Sequence, residues 1–238
     1  MAMQSVFTNT AYAPSWDTKY LPLLSALYES LIDDDDEVRE AAALAASSLM
    51  GVTAVAPTAA DGLVPWLRER FAESEEFGAR VVCRMVGQPY PAGELRLVPA
   101  EVQLGKAMEF DDSLFAAEDQ NLFVDEVREA VRWRGALGGS GGGETPSASV
   151  GCLRDWAEAG LRCLIGLLAE REDGPLGWTS DQHVFAVCAR VLVCAGAVAG
   201  MEEKTGAVGE LLHEFGAVGA KRGIHGSLLA MAGVDAVA

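Results

Sequence analysis

The chain has 238 residues, half of them hydrophobic, so it is long enough to bury a substantial core. It carries 18 basic and 35 acidic residues, a net charge of −17 at pH 7. No run of Lys or Arg interrupts this acidity, which disfavours direct binding to nucleic-acid phosphates and to anionic membrane surfaces. Alanine, leucine and glutamate are plentiful, and this composition favours an all-α protein.

Cysteine usage and the N-terminal sequence both bear on the compartment. The N-terminal residues MAMQSVFTNT lack the basic-then-apolar order of a signal peptide. The five cysteines form no CxxC pair, a pattern typical of reduced, buried thiols: Cys83, Cys152, Cys163, Cys188 and Cys194. We therefore expect a soluble protein of the cytoplasm.

Residues 18–51 predict two helices joined by a turn of four aspartates. The first helix has one apolar face with spacings of three and four residues, formed by Leu21, Leu24, Leu27, Tyr28, Leu31 and Ile32. The second repeats the pattern with Val38, Ala42, Ala45, Ala46, Leu49 and Met50. Asp33 to Asp36 lie where free amides of the second helix need acceptors. Neither helix could bury its face alone, so the pair is expected to stack on a neighbour.

Two further helices are predicted directly after this hairpin. Ala59 to Phe71 forms the third, and Glu75 to Val86 forms the fourth, with Ser74 as its N-cap and Gly87 at its end. The spacing of the two hairpins is close to the ~40–47 residues of HEAT and armadillo repeats.

The middle of the chain is less regular. Gln88 to Pro99 is predicted as a proline-bearing connection with a short extended piece at Glu94 to Val98. Phe110 to Ala117 is expected to be a short helix, and Leu122 to Leu137 a clearer one. The apolar side of the clearer helix has residues four apart, Phe123, Val127 and Val131. Residues 138–149, GGSGGGETPSAS, predict a flexible linker.

Four helices are expected in the remainder: Val150 to Glu170, an apolar helix ending at Gly200, Lys204 to Phe215, and Ile224 to Ala232. The apolar helix is near the minimum length of a membrane span, but Arg190 lies at its centre. Inserting such a charge costs about 2.5–3.5 kcal/mol. A buried helix of a helical stack explains the same residues without that cost, so no membrane association is expected.

Candidate chemistry was tested against each motif in turn. An EF-hand loop starting at Asp33 would require glycine and glutamate where Val38 and Leu44 stand. GGSGG satisfies G-x-S-x-G, but a predicted helix rather than a strand precedes it. His213 and Glu214 begin H-E-x-x-H, yet Ala217 replaces the second histidine. We therefore expect no catalytic residues, no metal, no cofactor and no enzymatic activity.

The first hairpin resembles a HEAT repeat. Such repeats often have a proline in their first helix, aspartate in the turn, then Val-Arg and alanines. The matching positions here are Pro22, Asp33 to Asp36, Val38 with Arg39, and Ala41 to Ala43.

Three blocks together give a narrower resemblance: LIDDDDEVREAAALAAS, VPWLRERFAESEEFGARVVCRMVG and LFAAEDQNLFVDEVREAVRW. In this order and spacing they are similar to the C-terminal part of the thyroid adenoma-associated protein family, whose members are much longer. Its fungal members are non-catalytic partners of a tRNA 2′-O-methyltransferase that modifies the anticodon loop. The most distinctive string is F-x-x-E-x-x-N-L-F-x-D-E, Phe115 to Glu126.

The resemblance implies a partner tRNA 2′-O-methyltransferase, with tRNA contacted only indirectly. Polar residues in and just after the distinctive string are then candidate partner contacts: Glu118, Asn121, Asp125, Glu126 and Arg128. The same residue types also suit helix starts that pack one repeat on the next, and this alternative stays open.

Together these observations predict an all-α protein, an α-solenoid of HEAT/armadillo-like hairpins. Residues 1–137 would hold HEAT-like hairpins, residues 138–149 a flexible loop, and residues 150–238 a C-terminal helical segment continuing the stack. The predicted function is a non-catalytic scaffold or regulatory subunit in tRNA anticodon-loop 2′-O-ribose methylation. The alternative is a generic HEAT adaptor in transport or signalling.

Overall fold

The structure of the chain is a computed structural model, which describes residues 20–31, 33, 35–49, 59–71, 74–91, 93–108, 130–134, 136–137, 148–170, 182–201 and 206–222. Within these ranges the regular structure is helical and no strand occurs. The chain divides into two compact units, residues 1–80 and residues 81–238. The predicted division at residues 138–149 stays a prediction.

The first unit is built on three helices: α1 (Leu21–Ser30), α2 (Asp36–Leu49) and α3 (Ala59–Phe71). Helix α1 packs on α2, and α2 packs on α3. The predicted face of α1 is confirmed, since its buried residues are Leu21, Leu24, Leu27 and Tyr28. Helix α2 buries small residues, Ala42, Ala45, Ala46 and Ser47, and small side chains let its backbone approach its neighbours. Val38 and Leu49 of the predicted face are only half-buried.

The aspartate turn caps helix α2, as predicted. The Asp35 carboxylate oxygen Oδ1 accepts hydrogen bonds from the amides of Glu37 (2.8 Å) and Val38 (3.4 Å). The amide of Asp35 in turn donates to Oδ1 of Asp33 at 3.0 Å. Asp35 is therefore the N-cap, and it satisfies amides that have no partner within the helix.

The predicted cap of helix α4 (Glu75–Met85) is also confirmed. The amide of Phe77 donates to the hydroxyl oxygen of Ser74 at 3.2 Å. The ring centroids of Phe71 and Phe77 lie 6.0 Å apart, so an aromatic contact joins the end of α3 to the start of α4. The boundary between the two units falls within α4.

The second unit contains α5 (Ala100–Met108), α6 (Ala148–Glu170), α7 (Gln182–Met201) and α8 (Ala207–Arg222). Helix α6 packs against α7 and α8, α7 also packs against α8, and α5 lies against both α6 and α7. The large buried side chains of α6 lie on one face of the helix, and Ile165 beside them is half-buried: Leu153, Trp156, Leu161, Leu164 and Leu168. Helix α7 is therefore surrounded by three other helices of its own unit.

Several sequence predictions need correction in this unit. Helix α5 was not predicted, because its buried residues are two alanines and one leucine, Ala100, Leu104 and Ala107. Helix α6 starts at Ala148, so the last two residues of the predicted linker are helical. Helix α8 runs to Arg222, not Phe215.

For the helix predicted at residues 122–137, the prediction of which side is buried was also wrong in the described part. Residues 130–134 and 136–137 are helical, but Val131 is 40% exposed. The buried side chains are instead Ala130, Trp133 and Ala136. The predicted helices at residues 110–117 and 224–232 lie outside the described residues, as do residues 138–147 of the predicted linker.

Among the described residues, one helix is long and apolar enough to cross a membrane, His183–Met201. Its most apolar stretch is 72% buried inside the protein. This burial supports the interpretation of α7 as a core helix of the stack.

Candidate partner-binding surface

The five predicted contact residues lie outside the described part of the chain: Glu118, Asn121, Asp125, Glu126 and Arg128. Their role therefore stays a prediction. The best-defined surface next to them in sequence is the connection from α4 to α5, residues 86–99, in the second unit.

This connection starts at a tightly closed helix end. The amide of Gln88 donates to the carbonyl of Cys83 at 2.9 Å, and the amide of Gly87 donates to the carbonyl of Arg84 at 3.2 Å. This pair of bonds is the Schellman pattern, which requires a left-handed residue between helix and loop. Gly87 has φ of +71°, a conformation that glycine adopts without steric cost. The predicted helix end at Gly87 is thus confirmed, with its physical reason.

The guanidinium of Arg190 lies against this helix end. A Cβ atom added to Gly87 would be only 2.4 Å from Arg190 Cζ and 2.5 Å from Nη1. The C-terminal end of α4 carries the negative end of a helix dipole, which favours a cation there. The charge at the centre of the apolar helix α7 is explained by this location, since Arg190 reaches out of its own helix to the end of another.

The side chain of Gln88 holds the rest of the connection. Its Nε2 donates to the carbonyl of Arg96 at 3.1 Å, and its Oε1 accepts from the amide of Val98 at 2.8 Å. The indole Nε1 of Trp156 donates to the carbonyl of Val98 at 2.8 Å. The predicted extended piece at 94–98 forms no strand, but its backbone is fixed by two side chains.

Two valines are exposed where this connection meets α5. Val98 is 40% exposed and Val102, on the first turn of α5, is 43% exposed. Trp156, which holds the Val98 carbonyl, is buried. Beside them Arg96 and Glu94 form an exposed ion pair at 3.3 Å. The surface is thus a small apolar area on a rigid backbone, a combination suited to contact with another protein.

The candidate reactive side chains are dispersed. His183 and His213 are exposed on α7 and α8, and His225 lies outside the described residues. Within the described ranges, no group of three or more metal-ligating side chains occurs. Of the sequence motifs discussed above, GGSGG at residues 138–142 lies outside the described part of the chain.

None of the five cysteines forms a disulfide, and they fall into two classes by burial. Cys83, Cys188 and Cys194 are buried, as predicted. Burial raises the pKa of Cys188 to about 12 and raises that of Cys194 further. The prediction was wrong for Cys152 and Cys163, which are partly exposed on α6.

Comparison with known proteins agrees with this architecture. The family described as the Trm72 ARM-like repeat region matches residues 65–236, well over half of the chain. The chain is 30% identical over 190 residues to the tRNA (32-2′-O)-methyltransferase regulator trm732 of Schizosaccharomyces pombe. This match covers 77% of the chain but only 11% of that relative. No solved structure matches the chain significantly.

The helices and the family match together define the class: an all-α, armadillo-like repeat protein with the architecture of an α-solenoid. The predicted fold class is thereby confirmed. More narrowly, the chain belongs to the Trm72 ARM-like repeat family, which confirms the resemblance drawn from the sequence blocks.

Proposed function

We propose that this chain is part of a non-catalytic regulatory subunit that supports 2′-O-ribose methylation in the tRNA anticodon loop. The methyl transfer itself would be performed by a partner tRNA methyltransferase in the cytoplasm. The observation that carries this proposal is the 190-residue match to a relative named as a regulator rather than as a methyltransferase.

The charge of the chain supports an indirect role toward RNA. At a net charge of −17 it would repel a phosphate backbone at long range. A basic tRNA-binding enzyme would instead be attracted, and charge complementarity speeds the association of two proteins. We therefore propose that the chain contacts the methyltransferase and that tRNA is held mainly by the other components.

We propose that the partner contacts the polar residues that follow α5 in the sequence and also the exposed valines Val98 and Val102. Glu118, Asn121, Asp125, Glu126 and Arg128 would supply the polar and charged groups of the contact. Val98 and Val102 would supply the apolar part of the contact, because both are exposed on a fixed backbone. Apolar centres with polar rims are typical of protein interfaces.

Affinity purification tests the partner. The protein containing this chain would be tagged in its own cells, purified at low and moderate salt, and analysed by mass spectrometry. We expect a tRNA 2′-O-methyltransferase to be recovered, with less of it at higher salt. Deleting the gene should lower 2′-O-methylation of tRNA anticodon loops, measured by mass spectrometry of purified tRNA. Recovery of only transport or signalling proteins, with unchanged methylation, would favour the generic adaptor instead.

Charge reversal tests the surface. The double variant Asp125→Lys/Glu126→Lys should lower recovery of the methyltransferase at least tenfold, because two attractions would become repulsions. Glu210→Lys/Glu214→Lys is the matched control, since it reverses two charges that are exposed on α8, away from the proposed contact in sequence. Equal recovery of the methyltransferase with both variants would show that the contact lies elsewhere.

A further inference from the structure

Helices α6 and α7 approach each other closely at a glycine. A Cβ atom added to Gly160 would lie 2.8 Å from Cγ2 and 2.9 Å from Cγ1 of Val191. Carbon atoms in contact are normally about 3.5–4.0 Å apart. The missing side chain of Gly160 therefore lets the two helices pack with little between their backbones.

This contact also fixes which residues are opposed further along the helices. Cys163 follows Gly160 by three residues, and Cys188 precedes Val191 by three residues. Three residues advance a helix by about 4.5 Å and return nearly to the same face. If the two helices run antiparallel, a step forward along α6 and a step back along α7 lead in the same direction in space, and Cys163 then lies opposite Cys188.

The pKa of Cys188 independently supports an arrangement in which Cys163 lies opposite Cys188. The ionised form of Cys163 disfavours ionisation of Cys188, which is the second cause, after burial, of the raised pKa of Cys188. Such an effect requires the two thiols to be near each other. If the helices were parallel, Cys163 would instead be level with Cys194, whose pKa reflects burial and Arg190 and no effect of Cys163.

The separation expected from this packing suits a disulfide. Helices packed through small residues have axes about 8 Å apart, and Cα atoms lie about 2.3 Å from each axis. Opposed Cα atoms are then within reach of the roughly 4.4–6.8 Å that a disulfide spans. Cys163 is partly exposed and can meet a reagent from solution, whereas Cys188 is buried behind it.

We propose that Cys163 and Cys188 are an oxidation site that forms an intramolecular disulfide joining α6 to α7. The oxidant is a small disulfide such as oxidised glutathione. The thiolate of Cys163 attacks it, forms a mixed disulfide and releases one glutathione thiolate, which takes up a proton. Cys188 then gives up its proton and attacks Sγ of Cys163, expelling the second glutathione. Two protein thiols are oxidised, and one glutathione disulfide is reduced to two thiols.

The second step proceeds although burial keeps Cys188 protonated most of the time. The opposed thiol acts at a high effective concentration, because no encounter from solution is needed. The resulting bond closes the chain between α6 and α7 and restricts the unfolded state. We expect the oxidised protein to melt about 6–12 °C higher than the reduced protein.

Peptide mapping of the full chain tests the proposal directly. The folded protein would be incubated with excess oxidised glutathione, blocked with an alkylating agent, digested and analysed by mass spectrometry. We expect one linked pair of peptides containing Cys163 and Cys188, with a combined mass about 2 Da below that of the two reduced peptides. Dithiothreitol should reverse the link and the gain in melting temperature.

Single variants supply the controls. Cys163→Ser should abolish the link, while Cys152→Ser, at the other partly exposed cysteine of α6, should leave it intact. A stable glutathione adduct on Cys163 without the link would overturn the proposal, as would a link through Cys152. The mapping of the unaltered protein decides the matter even if a variant fails to fold.

Discussion

Gly160 offers the sharpest test of the packing in the second unit, through the substitution Gly160→Ala. The added Cβ would lie within 3.0 Å of three atoms: Cγ1 and Cγ2 of Val191, and Cβ of Ala100. Val191 and Ala100 are both fully buried. Neither can move aside easily, because the β-branched side chain of Val191 is stiff and the Ala100 methyl group moves only with its backbone. The helices must therefore separate.

Two opposing effects set the magnitude. Overpacking of a core typically costs about 1–3 kcal/mol. Replacing glycine by alanine inside a helix stabilises the folded protein by about 0.4–1 kcal/mol. The net effect of Gly160→Ala should be a destabilisation of up to about 2.6 kcal/mol, or up to roughly 10 °C in melting temperature for a chain of this size.

Gly166→Ala is the matched control, because it lies in the same helix and a Cβ there would meet nothing within 4 Å. It should stabilise the protein by about 0.4–1 kcal/mol. Both variants would be measured by urea unfolding followed by circular dichroism. The difference between them reports the packing term alone. Equal stability of the two variants would refute the close approach of α5, α6 and α7.

Four further predictions concern individual side chains. Leu27→Asp should unfold the first hairpin, because a charge would enter a fully buried position, whereas Leu44→Asp, at a leucine that is 38% exposed, should change the helical circular dichroism signal little. Asp35→Ala should lower the free energy of unfolding by about 0.5–2 kcal/mol through loss of the α2 cap, visible in the urea midpoint, and no change would contradict the capping bonds. Cys188 and Cys194 should resist alkylation at pH 8, because burial raises the pKa of both thiols. Since the Cys188 thiol has an ordinary pKa of 9.0 and one of about 12 when folded, stability should fall as pH rises through this interval. Alkylation of Cys188 and Cys194 as fast as that of Cys152 and Cys163 would show that Cys188 and Cys194 are not buried.

The sequence was most informative where core residues are large and turn residues are specific. The leucines of α1, the aspartates before α2 and Ser74 before α4 each have one clear physical role, and their positions were predicted correctly. Helix α5 was missed because two of its large hydrophobic residues, Val102 and Met108, are exposed, while its buried residues are two alanines and the single leucine Leu104.

Other features depend on contacts between distant residues and cannot be read from a local pattern. Gly151, Gly160 and Gly166 look alike within α6, yet only Gly160 lies against another helix. The position of the Arg190 guanidinium is explained by its closeness to Gly87, which lies about a hundred positions away in the chain. The predicted contact residues, from Glu118 to Arg128, rest on a resemblance and await the charge-reversal test.

The side-chain amide of Gln88 affects how the length of the loop between α4 and α5 can vary. It binds the backbone of Arg96 and Val98, so one side chain ties together the two ends of the intervening loop. The start of α5 is therefore set by this tie and by Trp156, not by the number of residues in the loop. We expect insertions between Pro89 and Leu95 to be tolerated, and related chains could differ in length there without displacing the helices that follow.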